Sequence, residues 1–130
     1  MTRYVSVEQA LELAAVACER SPEDPPPLRD AGLLDSAIHR PQAAMFGQEA
    51  YPDLVEKAAA PLQSLVVNPP FIDGNKRAAW LVTTVFLRKN DVRLQPAEDA
   101  AYDLVVSVAA GELEEVKEIA DILRSFVRSG

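Results

Sequence analysis

The 130 residues contain one cysteine, Cys18, and one histidine, His39. A single thiol leaves no internal disulfide, and a cytosolic, reducing setting is the simplest reading. The single imidazole ends a short helical pattern, where a cation is favoured for itself. It leaves no histidine-based triad and no zinc site with several histidines. No apolar run reaches the roughly 18 residues of a membrane span. No signal-peptide core is expected either, because Met1 to Tyr4 lead straight into a polar helical pattern. Basic excess is also missing. At a net charge of −7 the chain lacks the basic face that broad nucleic-acid binding needs, so no direct nucleic-acid partner is expected. No internal repeat occurs, and no stretch alternates with period two beyond a few residues.

What is present fits one soluble domain spanning residues 1–130. The chain is 48% hydrophobic and 25% charged, and its length buries roughly two-thirds of the unfolded surface. Ser6 and Gln9 read as a capping box opening a helix whose apolar positions include Val7, Ala10, Leu11 and Ala14 and which stops near Arg20. The proline-rich residues 21–27 read as an extended, exposed loop. Asp30 to His39 reads as a short helix closed by Arg40-Pro41, and a loop through Gly47 follows. Pro52 suits the first position of the next helix, whose apolar stripe runs from Leu54 to Val66. Pro61 lies inside that stripe, where a proline costs roughly 3 kcal/mol, so a kink or a helix broken in two is expected. Later helices are expected from Ala78 to about Lys89, from Pro96-Ala97-Glu98 to a stop at Gly111, and from Glu112 or Leu113 with Val127 on its apolar face. The fold class is all-α, with five to seven helices.

Nine residues, Pro69-Pro70-Phe71-Ile72-Asp73-Gly74-Asn75-Lys76-Arg77, carry most of the chemistry. Two adjacent cations at a helix entrance are misplaced on their own, because that end already carries about half a positive charge. A bound phosphate would offset them. Asp73 has two readings: a helix N-cap, or a carboxylate holding Mg²⁺ beside phosphates. Gly74 permits a positive φ or close approach of a phosphate to the backbone. Asn75 can bond a turn or a ligand, and Lys76 with Arg77 forms the phosphate-binding candidate. Phe71 reads as the core anchor of the loop, Trp80 as packing, and Cys18 as a small buried apolar residue.

These residues resemble the motif of Fic and death-on-curing proteins, His-x-Phe-x-Asp/Asn-Gly/Ala-Asn-Lys/Gly-Arg. Phe71, Asp73, Gly74, Asn75 and Arg77 match it, and Lys76 matches the death-on-curing branch. The opening Tyr4 to Leu13, the segment Gly32 to Ala37, Tyr51-Pro52-Asp53-Leu54 and Ala100 to Leu104 are similar to bacterial death-on-curing toxins as well. The resemblance implies a compact helical Fic-type bundle and the toxin half of a toxin–antitoxin pair. It implies ATP and Mg²⁺ as cofactors, an antitoxin whose disordered tail folds onto the toxin, and phosphorylation of a translation elongation factor in the cytoplasm. By the same resemblance Asp73 would hold Mg²⁺, and Gly74, Asn75, Lys76 and Arg77 would bind nucleotide phosphates. Lys76 would crowd the pocket that glycine leaves open in the wider group, which transfers a nucleotide monophosphate instead.

The motif histidine falls at Pro69. Proline cannot accept a proton from an acceptor hydroxyl, and general-base assistance is worth typically about 10²–10⁴-fold. The expectation is a toxin scaffold without effective catalysis. Two alternatives stand beside it: a non-catalytic module binding an antitoxin or a nucleotide, and a Fic-type AMP transferase, which Lys76 disfavours.

Overall fold

The computed structural model describes residues 1–97 and 99–128. Six α-helices carry the fold: α1 (Val7–Ala17), α2 (Ala31–His39), α3 (Leu54–Val67), α4 (Asn75–Lys89), α5 (Ala100–Ala109) and α6 (Val116–Ser125). A 3₁₀ turn, Arg40–Gln42, extends α2, and two short strands, β1 (Ala44–Met45) and β2 (Gln48–Glu49), pair antiparallel. This is the all-α bundle expected, with a small hairpin added to it. No helix among the described residues is long and apolar enough to cross a membrane.

The central helix α3 packs against α2, α4, α5 and α6. Its Ala58, Ala59 and Ala60 are fully buried, and their small side chains let neighbouring backbones come close. Pro61 does not break it, and 54–67 is one helix rather than two. Burial of residues 57–62 on several sides supplies the packing that outweighs the proline penalty. Arg40 braces the same stretch by donating to the Ala60 carbonyl (2.9 Å), Gln63 Oε1 (2.8 Å) and Ser64 Oγ (2.9 Å). Lys57, 2% exposed, reaches out to Glu49 Oε1 (2.8 Å) and the Tyr51 carbonyl (2.6 Å), tying the hairpin to α3.

The capping box of Ser6 and Gln9 forms as read. Several boundaries differ from expectation. Helix α1 ends at Ala17, three residues before Arg20, because Glu19 turns left-handed (φ +58°) and closes the end. The segment expected as a loop through Gly47 pairs as a hairpin. Phe46 and Gly47 both take positive φ (+53° and +78°), the twist a two-residue turn requires. Leu54, not Pro52, takes the first position of α3, because Asp53 is the N-cap and its carboxylate accepts from Glu56 N–H (3.1 Å). Helix α4 starts at Asn75 rather than Ala78. Helix α5 starts at Ala100, with Asp99 as N-cap; of the expected start, Glu98 lies outside the described residues. Gly111 (φ +81°) stops α5 as expected, with Gly111 and Glu112 N–H groups bonding back to Val108 and Ser107. That closure uses up Glu112, so α6 begins only at Val116. Val127 leaves the helical face and bridges to Leu94.

Candidate functional site

The loop before α4 is shaped by backbone bonds to the proline-rich segment. Arg29 and Asp30 N–H groups donate to the Pro70 carbonyl (2.7 and 3.0 Å), and Ile72 N–H donates to the Pro27 carbonyl (3.0 Å). Leu28 and Phe71 thereby form an antiparallel bridge. The Arg29 guanidinium also donates to the Pro69 carbonyl. The proline-rich stretch was expected to be exposed, and most of it is; Pro26, however, is buried, because the segment is a wall of the site rather than a free loop. Phe71 is 2% exposed and anchors the loop in the core as expected.

Asn75 locks the turn. Its Oδ1 accepts from Phe71 N–H (2.9 Å) and its Nδ2 donates to the Phe71 carbonyl (3.0 Å). Asp73 Oδ1 accepts from the N–H of the next residue, Gly74 (2.8 Å). Asp73 is therefore not the N-cap. That place belongs to Gly74, at φ +80° and with no side chain to offer. Ala78 is the first residue to bond back along α4, to the Gly74 carbonyl (3.0 Å). The N–H groups of Asn75, Lys76 and Arg77 consequently have neither an intrahelical acceptor nor a capping side chain. With the helix dipole behind them they make an anion-binding end.

This end opens into a cleft of about 570 Å³ lined by Pro69, Asp73, Gly74, Asn75, Lys76 and Arg77, with Cys18, Arg20, Pro26, Pro27, Val66 and Ile72 completing the wall. Asp73, Lys76 and Arg77 are exposed, and among the described residues neither cation forms an ion pair. A chain of net charge −7 thus has a cleft with three cations against one carboxylate. His39 lies outside it, its ring beside the Asp35 carbonyl (2.9 Å). The cleft brings together every site residue expected from the sequence except Phe71, which supports it from below.

Three contributors were not anticipated. Cys18, only half-buried, packs its sulfur against Gly74. Arg20 lines the cleft, and Arg29 holds the loop. All three act from across the fold, and no local sequence pattern marks them.

One carboxylate beside an anion-binding helix end suits Mg²⁺, which takes one or two carboxylates and otherwise phosphates and waters. The Gly74 N–H fixes one Asp73 oxygen, which orients the group. No cluster of three or more His, Cys, Asp or Glu side chains fit for a metal occurs among the described residues.

A family model described as the Fic/DOC family matches residues 4–87. A protein named Toxin Doc from Mycolicibacterium smegmatis (strain ATCC 700084 / mc(2)155) is 42% identical over 128 residues, covering 97% of this chain and 95% of that protein. One named Protein kinase doc from Escherichia phage P1 is 34% identical over 127 residues, covering 98% of each.

Proposed function

The chain belongs to the Fic/DOC family, and on that footing we propose that it is the toxin of a toxin–antitoxin pair whose scaffold moves phosphate from ATP to a hydroxyl of a translation elongation factor. The kinase name of the phage relative supports the reaction type. The observation that carries the reading is the uncapped start of α4, three free N–H groups flanked by Lys76, Arg77 and Asp73. Phosphoryl transfer depends mainly on positioning and charge neutralisation, which such groups supply. Lys76, Arg77 and the N–H groups of residues 75–77 would hold the phosphates. Asp73 would hold Mg²⁺, which when bound draws negative charge from the phosphate oxygens. Asn75 contributes through the loop it fixes and through its backbone N–H. Arg29, Phe71 and the proline-rich wall keep that loop in place.

Pro69 lines the cleft at the motif's histidine position and offers no proton acceptor. Turnover is accordingly reduced by about 10²–10⁴-fold or more. A second reading follows from the same residue: a nucleotide-binding module that performs no chemistry. The antitoxin tail would fold onto the apolar groove of about 350 Å³ between α4 and α5, lined by Trp80, Ala101, Tyr102, Val105 and Val106. Lys76 and Arg77 line both this groove and the phosphate cleft, so an occupant would interfere with nucleotide. The setting is cytoplasmic.

The test is Pro69→His. The restored chain is expected to arrest growth and to label an elongation factor in extracts from γ-phosphate-labelled ATP, while the Pro69 chain does neither. A restored chain that is harmless and inert ends the kinase reading. Label passing only from the α-phosphate would establish nucleotidyl transfer instead.

A further inference from the structure

Arg20 stands outside the motif and outside α4, yet it lines the same cleft as Lys76 and Arg77. Its place follows from how α1 ends. Glu19 takes φ +58°, and the N–H groups of Glu19 and Arg20 return to the carbonyls of Val16 and Ala15 (3.0 and 2.9 Å). Cys18, just before this turn, already meets Gly74, and the closure that follows leaves Arg20 lining the same cleft. A non-glycine residue in the left-handed region costs roughly 1–2 kcal/mol, so the turn is held by its bonds and packing rather than by local preference.

The guanidinium is only partly occupied. Nε donates to the Asp24 carbonyl (2.9 Å), and Nη2 meets Asp24 Oδ1 at 3.3 Å. Both partners lie in the exposed proline-rich loop, and the Asp24 side chain is 63% exposed. An ion pair this long and this solvated is weak and gives way to a stronger anion. Arginine also presents a planar fork that fits phosphate oxygens in pairs.

We propose that Arg20 is a third phosphate ligand, supplied from outside the motif, and that Asp24 holds it in reserve until a polyphosphate competes for it. Cations delivered from two separate elements into one roomy cleft suit a chain of phosphates, the class of a nucleoside triphosphate or its bare polyphosphate. The inference rests on the phosphate-binding reading of the cleft but does not need turnover, so the chain with Pro69 serves for the test.

Calorimetry would measure binding of magnesium tripolyphosphate and of Mg·ATP to the full chain and to R20Q, D24N and R20Q/D24N. R20Q is expected to weaken both ligands about tenfold, as for one charge-assisted hydrogen bond. D24N is expected to tighten both by a few-fold, and the double variant to match R20Q. Circular dichroism should show unchanged helix content, since both side chains are solvated. If R20Q binds like the unaltered chain while Lys76→Gln weakens binding, Arg20 is no ligand and the cleft reading survives. If D24N changes nothing, or gains equally without Arg20, the reserve role falls. If the unaltered chain binds neither ligand, the cleft reading falls and this inference with it.

Discussion

The sulfur of Cys18 occupies the space that a side chain on Gly74 would need: a Cβ built at Gly74 lies 2.3 Å from Cys18 Sγ. Two independent constraints thus fall on one glycine, this contact and its φ of +80°. Gly74→Ala is expected to cost about 2 kcal/mol or more in urea unfolding, combining left-handed strain with overpacking. In a Cys18→Ala background the overpacking part should disappear and the strain remain. An equal loss in both backgrounds would show that the sulfur contact does not matter.

Asn75 offers a second separation of roles. Both polar atoms of its side chain bond the Phe71 backbone. Asn75→Ala leaves a buried residue's N–H and carbonyl unpaired, and should cost about 1–3 kcal/mol of stability. Differential scanning calorimetry checks this. A normal melting temperature with lost phosphate binding would move the amide from loop to ligand.

Lys57 is buried on α3 while its partner Glu49 is 58% exposed. Lys57→Met should cost about 1–3 kcal/mol, mainly through the orphaned Tyr51 carbonyl. It should also speed hydrogen exchange at the Ala50 amide, which closes the hairpin on Ala43. Glu49→Gln should cost under about 1 kcal/mol, since that carboxylate stays in water. Equal effects of the two changes would contradict this division.

Asp53 gives the fold a pH dependence. Burial pushes its carboxyl up, but the Arg124 guanidinium (2.6 Å) and the Glu56 N–H outweigh burial and hold it below the usual value. A group lowered in the folded state stabilises above its unfolded pKa, and that stability is lost as pH falls through the lowered folded pKa. Unfolding at stepwise lower pH should therefore show the unaltered chain losing its advantage over Asp53→Asn below about pH 4. A stability gap that stays constant down to pH 2 would rule this linkage out.

Much of the bundle is legible from local signals. Ser6 and Gln9 announce α1, Asp30 caps α2, and Gly111 ends α5. Where the fold departs from those signals, the reasons are physical. The hairpin strands have two residues each, too few to display alternation, and only the backbone of Phe46-Gly47 marks the turn. Leu113 keeps a helical spacing with Val116, yet the closure at Gly111 and Glu112 forbids a helix there. Pro61 breaks nothing because tertiary packing outweighs a local penalty. At the cleft, residues 69–77 are contiguous and readable together. Cys18, Arg20 and Arg29 are brought to that loop by chain reversal, and periodicity carries no record of such meetings.

What Arg29 grips at position 69 is a carbonyl oxygen, an atom that every amino acid supplies. Side-chain identity there is thereby uncoupled from the architecture. Histidine triplets lie one base from two of the four proline triplets, so a single mutational step can exchange the side chain at position 69 while the loop around it keeps its shape.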